Sequence, residues 1–146
     1  MNLYSLLTKI LPEKTAFAHC DVPCGIYDPK TAQIASLTVL TMVQKIKQLQ
    51  KGESDDEKIN YKNSFMRMVW TKEEHARKCK EELFILWTDY FKPEHLTAFP
   101  DLHEKFWNAA KLCSKNKQTV DENAAQELVK SVDEIAEIFT KTKTSK

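Results

Sequence analysis

Apolar side chains recur every three or four residues along most of this chain after Pro29, which is the period of an amphipathic helix. The first stripe consists of Ile34, Leu37, Leu40, Val43 and Ile46. The second stripe is longer, is interrupted at Thr71 and Lys72, and consists of Tyr61, Phe65, Met68, His75, Cys79, Leu83, Leu86 and Tyr90. Two further stripes consist of Leu102, Phe106, Ala109 and Cys113, and of Ala125, Leu128, Val132, Ile135 and Phe139. Four amphipathic helices joined by short connections predict an all-α fold, a four-helix bundle over about residues 31–143.

Local signals divide the stripes into separate helices. Gly52 is a stop signal after the first helix, and the sequence Ser-Asp-Asp-Glu at 54–57 has the spacing of a capping box that begins the second. Pro93 is expected to end the second helix, and Pro100 is expected to occupy the first position of the third. Residues 119–122 offer another capping box, from which we expect the fourth helix to start.

Composition narrows the class of protein. The chain has 146 residues, which fits one domain, and its 22 basic residues almost balance 21 acidic ones. A general nucleic-acid binder should show a clear basic excess, so we expect no nucleic-acid partner. No apolar run approaches the roughly 18 residues that a membrane span needs, so we expect no membrane partner. Four cysteines in a helix-rich chain of this size indicate thiols kept reduced in the cytoplasm rather than a disulfide scaffold.

The segment His-Cys-Asp-Val-Pro-Cys-Gly-Ile-Tyr-Asp-Pro at 19–29 differs from the helical remainder, and we name it the hook. It holds one imidazole, two thiols and one of the two glycines. Cys20 and Cys24 would be incidental loop residues, a local disulfide, or metal ligands, and their spacing alone is a weak signal for a metal. His19 beside the first cysteine strengthens the metal interpretation.

Residues 1–18 precede the hook and end in Ala16-Phe17-Ala18, a small-x-small sequence of the kind that processing peptidases cut. Lys9 interrupts the apolar run of this segment, so we expect a pro-segment removed inside the cell rather than a secretion signal. The alternative is a first amphipathic helix over residues 3–11 that docks on the body. Cleavage after Ala18 would make residues 19–146 the mature domain.

Cleavage would also give His19 a free amine. That amine, the Cys20 amide nitrogen and the thiolates of Cys20 and Cys24 would make four ligands in one plane, which suits Ni(II) or Cu(II). The imidazole of His19 would supply an axial fifth ligand. A tetrahedral zinc site is the competing interpretation, but it needs a fourth side-chain ligand.

Other candidate residues are expected to be structural. Cys79 and Cys113 lie on apolar helix faces, where small buried residues are common. His75 is expected to be a hydrogen-bonded interior histidine, and His95 and His103 are expected at the surface or at helix starts. The three tryptophans are expected to be core or interface anchors.

The hook resembles the N-terminal metal-binding segment of nickel-containing superoxide dismutases. A second similar stretch is Leu-Trp-Thr-Asp-Tyr-Phe-Lys-Pro at 86–93, followed by Phe-Pro-Asp-Leu-His at 99–103, and weaker similarity covers residues 135–143. The resemblance implies that superoxide is disproportionated to oxygen and hydrogen peroxide by Ni(II)/Ni(III) cycling. One nickel ion per subunit would be bound by His19, Cys20 and Cys24.

The same resemblance implies roles for other residues. Tyr27 would stand over the open face of the metal and limit access, and Asp21 matches the aspartate of the family's hook. Tyr90 and Lys92 match residues that hydrogen-bond the hook and help to position it. The resemblance also implies a cytoplasmic homohexamer of four-helix subunits, matured by a peptidase that cuts between Ala18 and His19.

Two positions depart from the family pattern. Ala35 and His75 stand where some members carry a glutamate and an arginine that support the axial imidazole, so this histidine would be supported differently here, with His75 itself as the candidate. Two rival functions remain at the level of sequence: a helical module that binds metal or senses redox state without catalysis, and a structural bundle whose cysteines have no chemical role.

Overall fold

The computed structural model describes residues 26–144, and this part of the chain contains helices and no strands. The helices are α1 (Lys30–Gln48), α2 (Asp55–Ile85), α3 (Pro93–Ala98), α4 (Leu102–Gln118) and α5 (Glu122–Thr144). A single π-helical turn, Leu86–Tyr90, continues α2. None of the helices in 26–144 is long and apolar enough to cross a membrane.

The four long helices form a closed ring of neighbours. Helix α1 packs against α2 and α5, and α4 packs against the same two helices. This arrangement confirms the predicted four-helix bundle, with α3 as a short addition between α2 and α4. The core lies between the four helices, and its largest fully buried apolar side chains are Phe106, Leu83, Leu102, Leu128 and Ile135.

The predicted start of the second helix is confirmed in detail. The Ser54 hydroxyl accepts a hydrogen bond from the Glu57 amide at 3.3 Å, and a Glu57 carboxylate oxygen accepts from the Ser54 amide at 2.9 Å. Gly52 lies so close that an added Cβ would be 2.2 Å from the Glu57 Cβ. The glycine is therefore needed for the connection to fold back over the first turn of α2.

The predicted end of the second helix before Pro93 is confirmed, but two other predicted boundaries are wrong. The π-helical turn that continues α2 stops at Tyr90, and Pro93 begins the separate short helix α3. Helix α4 starts at Leu102, two positions after the predicted Pro100. Thr119 is the C-terminal cap of α4, and the start of α5 is capped by the Asp121 carboxylate, which accepts from the amides of residues 123 and 124. An aspartate binds these amides with one side chain, so no capping box is required.

The predicted stripe of α1 is wrong at Ile34 and Leu37, whereas Val43 is buried and Leu40 packs against the core. Ile34 and Leu37 are 54% and 50% exposed, and the buried residues of α1 are Ala32, Ala35, Ser36, Val39 and Val43. Small side chains let α1 approach α2 closely, which leaves the larger apolar residues of the stripe pointing outward. The first half of α2 behaves similarly, since Ile59, Met66 and Trp70 are all more than half exposed.

The interruption of the second stripe at Lys72 has a structural reason. This lysine is only 2% exposed, and its ammonium donates hydrogen bonds to the carbonyl oxygens of Asn116 and Lys117 and to the Glu73 carboxylate. Those carbonyls belong to the last turn of α4, where no intrahelical donor is available. Lys72 therefore caps α4 from within the bundle.

Candidate metal centre

The predicted ligands His19, Cys20 and Cys24, and the hook residue Asp21, lie outside the described residues, as do Ala18 and the segment before it. Within residues 26–144, no three His, Cys, Asp or Glu side chains are grouped so that they could hold a metal ion. Of the hook, the structure describes only residues 26–29, which lead directly into α1. We call these four residues the hook base.

The end of the hook is anchored at the start of α1. The Asp28 carboxylate accepts a hydrogen bond from the Lys30 amide at 2.8 Å, and Tyr27 is only 8% exposed. Lys143, near the end of α5, donates from Nζ to the Tyr27 carbonyl oxygen at 3.2 Å. These contacts fix both the side chain and the backbone of Tyr27 at one end of the bundle.

Tyr90 is the second tyrosine at this end of the bundle. Its ring centroid lies 5.5 Å from that of Tyr27 and 4.4 Å from that of Phe139. The Thr142 hydroxyl donates to the Phe139 carbonyl at 2.7 Å, so its oxygen accepts the hydrogen bond from the Tyr90 hydroxyl at 2.8 Å. Tyr90 therefore connects α2, the hook base and α5.

The π-helical turn explains how Tyr90 reaches this position. The Phe91 amide donates to the Leu86 carbonyl at 3.1 Å, which is the five-residue spacing of a π-helix. The extra residue rotates the end of α2 relative to a regular helix. Trp87 in the same turn stacks on Phe106, with ring centroids 5.6 Å apart, and donates to His103 Nδ1 at 2.7 Å.

Lys92 follows this turn and is half-buried. Its backbone amide donates to His95 Nδ1 at 3.1 Å, and the His95 ring stacks against Tyr90 with centroids 5.9 Å apart. Because His95 Nδ1 accepts this bond, the proton of the neutral imidazole is on Nε2. Sequence reasoning placed His95 at a helix start and missed that it supports both Tyr90 and Lys92.

The two positions that depart from the family pattern are structurally distinct. Ala35 is 1% exposed in the buried face of α1, where it has no polar group to offer. His75 is half-buried in α2, and its Nδ1 lies 3.0 Å from the Thr71 carbonyl oxygen. A carbonyl can only accept, so Nδ1 carries the proton and Nε2 of the neutral ring is an acceptor.

A small cavity of about 150 Å³ opens beside the hook base. It is lined by Ile26, Tyr27, Asp28, Thr31, Glu82, Ile85 and Leu86. Its walls therefore come from the end of the hook, the first turn of α1 and the end of α2. Because Ile26, Tyr27 and Asp28 are part of its lining, the cavity lies at the described end of the hook.

Comparisons with known proteins show which family this chain is similar to. The family model described as nickel-containing superoxide dismutase matches residues 14–143. Superoxide dismutase [Ni] of Streptomyces seoulensis is 33% identical over 132 residues, covering 90% of this chain and 93% of that protein. Superoxide dismutase [Ni] of Streptomyces coelicolor gives the same identity and the same coverage.

Solved structures are similar over the same region. A native nickel superoxide dismutase structure matches with a TM-score of 0.73 and 31% identity, covering 86% of this chain and 99% of that one. A crystal structure with nickel ligation corresponding to the oxidised state matches with a TM-score of 0.74 and 34% identity, covering 87% of this chain and all of that one.

Proposed function

This chain belongs to the nickel-containing superoxide dismutase family, and we propose that it disproportionates superoxide at a nickel site formed by His19, Cys20 and Cys24. The site would form after cleavage of the peptide bond between Ala18 and His19. Family membership establishes the dismutase activity and the nickel cofactor. The observation that carries the proposal is the extent of the family match, which runs from residue 14 to 143 and so includes the hook and the predicted cut.

The donor set of the hook fits nickel. The amine of His19, the amide nitrogen of Cys20 and the thiolates of Cys20 and Cys24 would hold the metal, and nitrogen and thiolate donors of this kind suit Ni(II). When bound, the nickel would supply the one-electron chemistry by alternating between Ni(II) and Ni(III). The amine exists only once the bond between Ala18 and His19 is hydrolysed, so the site is conditional on processing by a peptidase.

The described residues would position the hook and control access. The buried ring of Tyr27 lies against Tyr90, and Lys143 holds the Tyr27 carbonyl, so the hook base is rigid. We infer that Tyr27 narrows the opening to small anions, with Tyr90 holding its ring in place. Lys92 would attract superoxide through its positive charge. Asp21 would orient the hook from within.

Support for the His19 imidazole would come from His75. Its Nε2 is an acceptor because Nδ1 donates to the Thr71 carbonyl. An acceptor at this place would receive the N–H of a metal-bound imidazole, which is the interaction that commonly orients such ligands. Ala35 supplies no carboxylate, so this single partner would replace the pair found in some members of the family.

We further propose a cytoplasmic homohexamer. Exposed apolar side chains on α2 lie on one face of the helix, at Ile59, Met66 and Trp70, and more than half of each is exposed. Ile34 and Leu37 of α1 are also half-exposed. Large apolar side chains exposed on one helix face favour burial against other subunits. Sedimentation of the mature protein should give six chains per particle, and a stable monomer would contradict this assembly.

The decisive experiment is coexpression with a processing peptidase, followed by intact-mass and metal analysis. We expect a chain that begins at His19, one nickel per chain, and superoxide turnover. The variant C20S/C24S should lose nickel and activity, whereas C79A/C113A is the matched control and should keep both. A chain that retains residues 1–18 and is fully active would contradict the proposal. Metal binding without turnover would support the rival non-catalytic module.

A further inference from the structure

Helices α1 and α5 border two neighbouring cavities to which the proposed function assigns no role. One has a volume of about 810 Å³ and extends from Asp28 and Pro29 toward the end of α5. The other has a volume of about 510 Å³ and lies between Leu40 of α1 and the middle of α5. Asp133 and Glu137 line both cavities, which therefore form one groove along α5 that we name the α1–α5 groove.

Apolar side chains line this groove and lie beside it. Half-buried Leu40 and Val129 line one cavity, and buried Phe139 lines the other. Leu37 is on the same face of α1, because Gln33 four residues before it and Leu40 three residues after it both line the groove. Half of Leu37 is exposed. Apolar surface along a groove of this kind favours contact with an apolar partner.

The groove also carries an excess of negative charge. Its lining includes two lysines and four carboxylates, which are Lys130, Lys141, Asp28, Asp133, Glu134 and Glu137. Glu134 is paired with Lys105, 3.3 Å away. Within residues 26–144, the other three carboxylates form no ion pair. The partner that fits the groove is therefore apolar on one side and carries basic residues next to that side.

We propose that the α1–α5 groove binds residues 3–11 of the same chain, as an amphipathic helix, before cleavage. The apolar face of this helix would consist of Leu3, Leu6, Leu7, Ile10 and Leu11. Lys9 flanks that face and Lys14 follows the helix, so both can meet the carboxylates of the groove. Residues 1–18 contain these two lysines and one carboxylate, Glu13, so their net charge is opposite to that of the groove.

The lengths of the segments allow this docking. Residues 12–25 separate the helix from Ile26, and an extended chain of this length spans up to about 46 Å. A helix over residues 3–11 is about 14 Å long, and the groove follows residues 126–141 of α5 for about 22 Å. The helix therefore fits within the groove. Because so short a helix is marginal in water by itself, it would form by packing there.

Docking makes the release of residues 1–18 depend on cleavage. In the intact chain the helix meets the groove at an effective concentration of about millimolar. After the bond between Ala18 and His19 is cut, the same contact is bimolecular, so the peptide leaves. Leu37 then becomes accessible for the assembly proposed above, a consequence that rests on that proposal.

The test uses the uncleaved full chain without nickel, so its result does not depend on the proposed ligands or on turnover. A water-soluble carbodiimide joins an amine to a carboxylate in direct contact with it, and peptide mapping by mass spectrometry locates each new amide bond. We expect Lys9 or Lys14 to be joined to Asp28, Asp133 or Glu137. Mixing isotopically labelled and unlabelled protein before the reaction shows whether the two residues belong to one chain.

Two double variants separate docking from chance encounter. L6D/L7D removes two leucines from the apolar face and should lower the crosslink yield about tenfold or more. S5D/T8D adds the same two charges away from that face and should keep the yield within about twofold. Equal losses in both variants would overturn the proposal. So would crosslinks that join labelled to unlabelled chains, or a map of the unsubstituted protein in which neither lysine is joined to the groove.

Discussion

Replacing Lys72 by methionine tests whether a buried ammonium stabilises the end of α4. Methionine keeps an apolar stem of similar length and removes the three charge-assisted hydrogen bonds. The carbonyl of Asn116 is buried at this contact, and that of Lys117 is partly buried and lies 3.0 Å from the ammonium. Each carbonyl left without a donor costs about 1–3 kcal/mol.

The opposing effect is the desolvation of the ammonium, which the substitution relieves. Because this cation has three hydrogen-bond partners and lies at the negative end of a helix, we expect the lost hydrogen bonds to cost more free energy than removal of the buried charge recovers. The net expectation is a decrease of about 3 kcal/mol in the free energy of unfolding. For a domain of this size that corresponds to a melting temperature lower by about 10 °C.

Urea unfolding followed by circular dichroism measures the change. Lys78→Met is the matched control, because Lys78 is exposed on the same helix and should change stability by no more than about 0.5 kcal/mol. The denaturant slope should be unchanged in both variants, so that the midpoint reports stability alone. If Lys72→Met unfolds at or above the midpoint of the unsubstituted protein, desolvation dominates and the capping argument is refuted.

Three further outcomes are expected. Thr142→Val removes the acceptor of the Tyr90 hydroxyl and should lower the free energy of unfolding by about 1 kcal/mol. Adding Tyr90→Phe should lower it little further, so additive losses in the double mutant would contradict the pairing of the two hydroxyls. Ser54→Ala should cost about 1 kcal/mol in thermal unfolding, and no change would contradict the observed cap. The hydrogen bond from Lys47 lowers the pKa of Glu122 below its ordinary 4.5, so this carboxylate stabilises the fold above that value and loses the effect as pH falls through its folded pKa. The Glu122→Gln variant should therefore have a lower free energy of unfolding than the unsubstituted protein at pH 7, and this difference should shrink in acid. A difference that stays constant with pH would contradict the stabilising role of the Glu122 carboxylate.

Periodicity identified the long helices because each buries one stripe, and it identified the start of α2 because a capping box is a local signal. It failed for the first half of α1. There the larger apolar residues Ile34 and Leu37 point outward and small residues point inward, since close helix packing favours small side chains. Helix α1 therefore carries two apolar surfaces, and periodicity alone does not rank them.

Tertiary contacts decide the features that the sequence missed. Lys72 looked like an interruption because the two carbonyl oxygens that it binds lie on α4, more than forty residues later. The π-helical turn depends on one extra residue in the ladder, which helical propensity does not reveal. Family resemblance suggested Tyr27 and Tyr90 as site residues, but their ring contact and the bonds to Thr142 and Lys143 become visible only in the folded chain.

The bond from Lys143 to the Tyr27 carbonyl joins positions 116 residues apart, almost the two ends of the described chain. Chains grow at about 5–20 residues per second, so during synthesis Tyr27 leaves the ribosome well before the last turn of α5. The contact that holds the Tyr27 carbonyl therefore forms only after Lys143 has left the ribosome. On the proposed ligand set, nickel delivered before that point would meet a hook whose base is not yet held in place.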